Sequence, residues 1–388
     1  FSCKPPSYRR IDHVTFNHTS HLRGFRIPKL LATILLYQSG EKQTMSESTE
    51  VPQESMIEVT TQERFQFHGE GGEFFRIWIV NLVLSIVTLG IYSAWAKVRT
   101  KRYFYGNTEL AGDRFDYLAS PIAILKGRII AVALLVIYTL LSIFLVPASY
   151  LVLALLLLVM PFVVMRSIRF NAVMSSWRGV RFGFGGDLPG AYKAVLLWPV
   201  FGVVTLGFGM PFAWYKQNQY LYNNYTYGRS SATTTAKPGD FYAVLLVVIA
   251  IGFVGGLVLG LLAAALSEHP VFVAVVALGY LAMYVLIYAG YQATYFSAVF
   301  NHAELQGNRL QTDVTVKGLF MVVLPNTVFT ILTLGLYYPW AAVRVARYMQ
   351  DHLWVEAVDL DSFVAQEQEQ ENALGDEIGE AFDFGIGI

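Results

Sequence analysis

The residues that could do chemistry are few and isolated. His68, Glu70 and Glu73 lie close enough together to suggest a metal site, but their spacing is not a recognised ligand pattern. We interpret Glu73 as an acid that serves the positive end of a helix beginning at Phe74. The glycine-rich run 69–72 lacks the Lys and Ser/Thr of a phosphate-binding loop. The sequence therefore predicts no metal site and no cofactor.

Nucleophilic chemistry has little support either. The chain has one cysteine, Cys3, so it predicts neither a disulfide framework nor a cysteine-based metal site. It has no Gly-x-Ser-x-Gly motif, and His269, His302 and His352 are scattered. No recognised nucleic-acid-binding module carries its basic residues. We expect no nucleic-acid partner and no catalytic residues; an enzyme is the alternative that these absences leave open.

Composition defines the class of protein instead. Residues of the apolar group make up 55% of the 388 residues and charged residues 14%, whereas soluble domains carry about 25% charged residues. The mean hydropathy is +0.46. A soluble protein of this size would need a charged shell that this chain does not have. The chain is therefore predicted to be an integral membrane protein.

The pattern of apolar segments predicts several membrane helices between residues 63 and 358. Two pairs of segments form helical hairpins, because each segment is near the ~20 residues that cross a bilayer. Gly252, Gly256 and Gly260 recur every fourth residue and are predicted to let another helix pack closely; a glycine-rich helix without a special partner is the alternative. The apolar segments are about 74–96, 129–146, 147–165, 194–215, 241–266, 271–296 and 318–343.

Three of these segments share a repeated motif. The first copy and the last are 245 positions apart, and a weaker middle copy follows the first by 117 positions. Each is interpreted as an apolar helix, a glycine cap and a basic helix that lies along the lipid headgroups, with aromatic residues at the interface. The matching residues are Thr88, Gly90, Trp95, Arg99 and Arg102 in the first copy and Thr333, Gly335, Trp340, Arg344 and Arg347 in the last.

One polar residue matches inside the apolar helices of these two copies. Asn81 and Asn326 are also 245 positions apart. We interpret them as partners in interhelical hydrogen bonds. The alternative is that they line a polar pathway. Counted from Ile77 in the first of them, the apolar segments contain no Asp, Glu, His, Lys or Arg, which argues against a proton relay.

Short alternating stretches follow most helical blocks. They turn at glycines, at 111–113, 178–180 and 306–308, and the stretch 64–67 is of the same type. Such patterns predict β-hairpins. The expected fold is an all-α polytopic membrane protein with internal repeats and small extramembrane β-hairpins.

Several of these residues resemble the YjgN-like family of bacterial inner-membrane proteins, a domain of unknown function. The resemblance covers roughly residues 60–388 and implies a multi-pass protein of the bacterial inner (cytoplasmic) membrane. It implies no reaction. The middle copy departs from the pattern, with Phe212 and Lys216 where the others have Trp and Arg. The residues on which the family resemblance depends are Phe65, Phe67 and Gly69, then 71–75, 88–92 and 95–99, the later copy at 333–347 and the acidic end.

The two ends of the chain differ from the membrane region. Residues 1–44 are interpreted as upstream sequence translated in frame before a start at Met45, with a disordered extension as the alternative. Residues 45–62 form a polar N-terminal segment. Residues 359–388 form an acidic disordered tail, which either docks weakly against the basic helices on its own side or stays solvated.

The distribution of Lys and Arg predicts the topology. The turns at Pro147 and at 267–270 carry no Lys or Arg, whereas every other connection carries some. The positive-inside rule then places these two turns outside and the basic connections inside. The three motif segments must in that case enter the membrane and return near their glycine. The rival arrangement has seven full crossings and an inverted repeat.

Two functions fit these features. An inverted repeat is found in many secondary transporters, which suggests transport of an unknown substrate. The alternative is a non-transporting structural protein or one that binds anionic lipid headgroups, and the basic residues near the membrane agree with it. Membrane lipids are the expected partners. The sequence indicates neither a substrate nor an oligomeric state.

Overall fold

Ten short strands alternate with helices along the chain. In this computed structural model, residues 60–369 are described. The predictions for 1–44, for most of 45–62 and for 370–388 fall outside them. The strands are β1 (Thr61–Phe67), β2 (Thr108–Leu110), β3 (Asp113–Tyr117), β4 (Ser175–Trp177), β5 (Val180–Phe184), β6 (Tyr225–Tyr227), β7 (Ser230–Thr234), β8 (Ala303–Leu305), β9 (Asn308–Thr312) and β10 (Leu353–Ala357).

These strands form one closed antiparallel barrel. Each strand pairs with its neighbours in the chain, and β1 closes the barrel by pairing with β10. The expectation of an all-α protein with separate small hairpins is therefore wrong. A lone two-stranded hairpin is marginally stable and leaves unpaired edges. Closure pairs every edge, so strands of three to seven residues become a stable unit.

The hairpin turns lie at the positions that the glycine pattern predicted. In the β2–β3 turn, φ is +48° at Ala111 and +82° at Gly112. The same pair of positive φ angles recurs at Arg178-Gly179 and at Gln306-Gly307. Positive φ at both central residues is the type I′ geometry, which matches the twist of two-residue hairpins. Glycine fits the second position because it has no Cβ.

The helices between the strands form hairpins of two lengths. The long ones contain four helices of 24 to 29 residues, each apolar and long enough to cross a membrane. The short ones begin with a helical stretch of 17 residues and return through a helix of 13 or 14 residues. The long hairpins are α3 (Pro121–Phe144) with α4 (Val146–Val173), and α8 (Pro238–Leu266) with α9 (Phe272–Phe300).

The short hairpins correspond to the three motif segments. The apolar segments at 74–96, 194–215 and 318–343, for which the motif predicts a bend at the glycine, each divide into two helices at their Thr-Leu-Gly. The second one begins with α5 (Leu188–Tyr192) and runs through a π-helical turn (Lys193–Leu197) into α6 (Trp198–Val204). The helices are α1 (Gly71–Val87) and α2 (Ser93–Gly106); α5 (Leu188–Tyr192), α6 (Trp198–Val204) and α7 (Met210–Tyr222); and α10 (Val316–Leu332) and α11 (Tyr338–Asp351).

Every helical hairpin begins and ends at the same end of the barrel. For the first, α1 follows Phe67 and α2 leads into Thr108, and these two strand residues are direct partners. The chain therefore returns near the glycine of each motif, as the same-side arrangement requires. Seven crossings with an inverted repeat are not compatible with one closed barrel, because an odd number of crossings would separate its strands.

A last helical stretch, residues 360–369, lies at the other end of the barrel, where the β-hairpins turn. We call it the plug helix. Leu360 and Val364 belong to the apolar core inside the barrel. The prediction of a disordered tail from residue 359 is therefore wrong for this stretch. Two of its acids, Asp361 and Glu367, bind residues in strand turns that are distant in the sequence.

Candidate functional site

The inside of the barrel holds an apolar cavity of about 300 Å³. Aromatic side chains from four strands form much of its wall, and their rings stack on one another. The alternation of the strands explains this lining, since every second residue of a strand points to the same face. Prominent among the lining residues are Phe65, Phe115, Trp177 and Phe182.

The plug helix covers the end of this cavity that lies away from the helical hairpins. Leu360 and Phe363 line the cavity. Glu367, 2% exposed, accepts a hydrogen bond from the backbone N–H of Arg229 at 2.7 Å and another from the hydroxyl of Ser230. A buried carboxylate needs such donors. Glu367 thus fixes the plug helix to the barrel.

An ion pair also holds the plug helix. The Arg178 guanidinium lies in the β4–β5 turn and is bonded to Asp113 at 2.6 Å and to Asp361 of the plug helix. These carboxylates raise the pKa of Arg178, against the lowering effect of its burial. We expected the acidic tail to dock weakly against the basic helices. In residues 360–369 the acids instead bind at the turns between the strands, through Asp361 and Glu367.

At its other end the cavity adjoins a second one of about 360 Å³. The two cavities share four lining residues, Phe65, Phe115, Phe182 and Tyr225. The second cavity lies where strands meet helices, because Thr108 and Ser175 begin their strands. The barrel interior therefore opens toward the helical hairpins.

The mouth of this second cavity is polar on one side. Asn171, Ser175 and Tyr105 line it. Lys101 is not part of the lining but donates to the Asn171 side-chain carbonyl at 2.6 Å, and the Tyr117 hydroxyl lies 3.3 Å from the same oxygen. Ser175 donates to the Tyr105 hydroxyl at 3.2 Å. Burial, and secondly the charge of Lys97, lower the pKa of Lys101. We call Lys101, Tyr105, Asn171 and Ser175 the rim cluster.

A second feature lies at the tips of the three short helical hairpins. Leu89, Leu206 and Leu334 have φ near +50° and are 94%, 90% and 95% exposed. Their flanking residues are also apolar and exposed, including Val87, Val204 and Leu332. A leucine with positive φ is uncommon. Three equivalent tips therefore present a large apolar side chain at a strained turn.

Hydrogen bonds within each tip satisfy its backbone. The N–H of Gly90 donates to the carbonyl of Ser85 at 2.7 Å, the bond that closes a Schellman motif. The Thr88 hydroxyl donates to Leu84 and accepts from the N–H of Tyr92 at 2.9 Å. The same bonds recur around Thr205 and Thr333. The motif Thr-Leu-Gly thus makes a turn that needs little water.

The two asparagines of the repeat lie inside these short hairpins. The Asn326 side-chain carbonyl accepts from Arg344 of α11 at 3.4 Å. Asn81 is 5% exposed, and neither polar atom of its side chain has a hydrogen-bond partner among the described residues. The structure thus places an interhelical bond at Asn326 and not at Asn81. Arg99, the counterpart of Arg344, is exposed.

Other motif residues join the hairpins to the barrel and to each other. Arg102 donates to the carbonyls of Tyr117 and Ala119, and Arg347 donates to that of Gly69 at 2.8 Å. Trp340 stacks on Phe75 of α1, with ring centres 4.9 Å apart. Trp95 stacks on Tyr92. These arginines therefore bind backbone carbonyls of the strand ends and their connections.

Sequence reasoning missed one residue of this type. Arg169 of α4 donates to the carbonyls of Phe184 and Gly186 at 3.0 and 3.1 Å, as Arg102 does for its own strand. It lies outside the Thr-Leu-Gly repeat. The signal that could have found it is a basic residue six positions before the first strand of the β-hairpin, a spacing that Arg102 and Arg169 share.

The predicted glycine packing lies on another face of α8. A Cβ added at Gly256 or Gly260 would meet no atom of the described residues within 4 Å, and one at Gly252 would meet Ile287 at 3.9 Å. Close packing of α8 against α9 occurs at Gly255 and Gly290 instead. Gly256 and Gly260 therefore do not pack closely against α9, because α8 has glycines on two faces. Packing of another helix on their face stays a prediction.

His68, directly after β1, is paired with an acid of β2. Its Nε2 lies 3.0 Å from a carboxylate oxygen of Glu109. Glu73 lies in the first turn of α1, which is where an acid stabilises the helix dipole. Between residues 60 and 369, no three His, Cys, Asp or Glu side chains come together as metal ligands could.

A closed barrel that carries apolar helical hairpins at one end defines a membrane-associated protein with an internal apolar cavity. The family model of a bacterial protein of unknown function (DUF898) matches residues 62–381. The chain belongs to this family. Curated relatives confirm the resemblance to the YjgN-like family.

Curated relatives agree with this assignment. The chain is 36% identical over 149 residues to "Inner membrane protein YjgN" of Escherichia coli (strain K12). The matched residues cover 37% of this chain and 36% of that protein. The chain is 34% identical over 145 residues to the protein of the same name from Salmonella typhimurium (strain LT2), which covers 36% of each. The matches thus span about a third of these relatives. No solved structure gave a significant match.

These findings support an inner-membrane location, together with the four helices long and apolar enough to cross a membrane. The family description assigns no activity. The expectations of no enzyme, no cofactor and no nucleic-acid partner therefore stay predictions.

Proposed function

We propose that this protein binds membrane lipids from one face of the bacterial inner membrane. The barrel lies against that face, the two long hairpins cross the bilayer, and the three short hairpins insert into the adjacent leaflet. The observation that carries this proposal is the set of three exposed leucines at self-satisfied turns, Leu89, Leu206 and Leu334. Each leucine gains roughly 1.5–3 kcal/mol when its side chain leaves water.

Helix lengths support this arrangement. The 17-residue helical stretches of the short hairpins are about 25 Å long at 1.5 Å per residue, whereas the four long helices are about 36–44 Å. The hydrocarbon core is ~30 Å thick. A short hairpin that starts at the headgroups ends within the bilayer. Its turn is tolerable there because its backbone bonds are satisfied internally.

The distribution of charge supports an orientation. The tips of all the helical hairpins lack Lys and Arg, and the connections at the barrel carry them. The positive-inside rule then puts the barrel in the cytoplasm. This arrangement is multi-pass, with four crossings. Transport, the other function that the sequence suggests, loses the argument from an inverted repeat, because the repeats share one orientation relative to the barrel.

Two measurements test the proposal. After Cys3→Ser, single cysteines at Leu89, Leu206 and Leu334 should resist an impermeant maleimide from both sides of the membrane. A cysteine at Gly307 should react only in opened cells, and one at Ser267 should react in intact cells. A photoreactive phospholipid in the membrane should form adducts on the three tips. Tips that react with maleimide from either side and form no lipid adduct would overturn the proposal.

A further inference from the structure

We propose that the barrel is a binding site for one acyl chain of an anionic phospholipid, whose headgroup lies at the rim cluster. This inference rests on the proposed function and names the ligand that the barrel would take. The site consists of the inner cavity, the cavity at the mouth and the rim cluster.

The inner cavity suits an apolar chain. Its lining is mainly aromatic and aliphatic, with Phe65, Phe115, Trp177 and Leu310 on its walls and Phe363 at its end. Apolar cavities of this kind stay dry and bind apolar molecules. The plug helix closes the far end through Glu367 and Asp361. A ligand therefore enters from the side of the helical hairpins.

The mouth leads from that side into the inner cavity. The shared residues Phe65, Phe115, Phe182 and Tyr225 make one apolar passage of the two cavities. Strand ends and the last turns of α2 and α4 surround the mouth, as Thr108 and Asn171 show. In the proposed arrangement this level is the membrane surface. A chain can thus leave the leaflet and enter the barrel without passing through water.

The rim cluster provides a positive charge and hydroxyl groups for the phosphate headgroup of the lipid. Lys101 carries a positive charge half-buried at this level, and Asn171 holds its ammonium group at 2.6 Å. Ser175 and Tyr105 add hydroxyl groups beside the mouth. A phosphate binds to ammonium and hydroxyl donors. An apolar cavity with a cationic, hydroxyl-bearing mouth matches an anionic lipid better than a neutral apolar molecule.

Photolabelling with defined lipids tests the inference. The full-length protein is placed in phosphatidylethanolamine vesicles that contain phosphatidylglycerol with a diazirine near the end of one acyl chain. After irradiation, peptide mapping should find adducts inside the barrel, on Trp177, Phe182 or Phe363, as well as on the tips. A phosphatidylcholine probe with the same diazirine chain should label the tips equally and the barrel less.

Variants separate the parts of the site. Lys101→Glu should reduce barrel adducts from phosphatidylglycerol about tenfold, because it removes a charge-assisted bond. Lys317→Glu makes the same charge change at the start of α10 and should leave them unchanged. Leu305→Trp fills the cavity from β8 and should abolish barrel adducts, while the rim cluster stays intact. Thermal unfolding shows whether each variant is folded.

The outcomes distinguish the two proposals. Adducts on the tips without any in the barrel would overturn the acyl-chain site and leave the proposed function standing. Barrel adducts that Leu305→Trp does not change would also overturn it. A lack of adducts on the tips as well would overturn the proposed function itself.

Discussion

Thr61 in the first strand lies directly opposite Ala357 in the last, and its hydroxyl donates to the Ala357 carbonyl at 3.2 Å. The pair joins residues 296 positions apart. The barrel is therefore complete only when both ends of the membrane region have been made and brought together. The helical hairpins connect the strands of this barrel, so their arrangement depends on the pairing of β1 with β10.

Breaking that pairing should destabilise the whole barrel. Val355 lies in β10 between Glu63 of β1 and Leu310 of β9. Val355→Pro removes one backbone donor from a strand that is paired on both sides. We expect the free energy of unfolding to fall by at least about 1–3 kcal/mol, the cost of an unpaired buried acceptor.

Thermal unfolding in detergent measures this loss, with Val355→Ala as the control. That variant loses side-chain atoms but keeps its N–H. An equal loss of stability in the two variants would show that closure does not depend on the backbone bond at this position.

The plug helix should detach when its buried acid is removed. Glu367→Ala leaves the Arg229 N–H and the Ser230 hydroxyl without their acceptor, at a cost of about 1–3 kcal/mol. Glu369, on the same helix, is exposed, so Glu369→Ala should have little effect. Hydrogen exchange of residues 360–369 measures the difference. Similar exchange in both variants would contradict this role of Glu367.

Sequence reasoning found the local parts of this fold and missed the distant ones. The turns at Gly90, Gly112 and Gly335 depend on a few adjacent residues, so their glycines are visible in the sequence. The barrel depends on strand pairs such as Thr61–Ala357, which no local pattern records. The buried role of Glu367 was missed for the same reason, since its partner Ser230 is 137 positions away.

The candidate site shows the same division. The motif predicted a cap at Thr88 and Gly90, and the structure has both. The rim cluster was not predicted, because Lys101 meets Asn171 only through the packing of α2 against the end of α4. The cavity was not predicted because its lining residues, such as Phe115 and Phe182, come from separate hairpins.

The threonine of each tip should matter for stability inside a bilayer. Thr88→Val removes the acceptor of the Tyr92 N–H, and in the proposed arrangement no water replaces it at that depth. We expect a loss of about 1–3 kcal/mol. Thr88→Ser keeps the hydroxyl and should lose much less. Unfolding in lipid nanodiscs measures both, and equal stability of the two variants would show that water reaches the tip.

Glycines on the two faces of α8 and α9 should respond differently to a larger side chain. A Cβ at Gly290 would lie 2.6 Å from Ile251 of α8, whereas one at Gly256 meets open space. Gly290→Leu should therefore push the helices apart and lower the unfolding temperature. Gly256→Leu should leave it unchanged or raise it, because leucine favours the helix more than glycine does. An unfolding temperature that falls equally in both variants would point to a partner on the Gly256 face.

Alkaline pH should destabilise the barrel through one buried and one half-buried tyrosine, Tyr117 and Tyr225. Burial raises the pKa of Tyr117 in β3 and of Tyr225 in β6 above 10, and the nearby Tyr105 adds to both shifts. A raised pKa means that the folded protein keeps these protons when the unfolded chain has lost them. The stabilising contribution is therefore complete below pH 10 and is lost as the pH rises through the higher folded values.

Tyr225→Phe should reduce the slope of unfolding free energy against pH between 10 and the folded pKa, because phenylalanine cannot ionise. Tyr284→Phe, at a site 70% exposed on α9, serves as the control. Denaturant unfolding at a series of pH values measures the slope, and a slope that Tyr225→Phe leaves unchanged would show that this tyrosine is not buried as the structure has it.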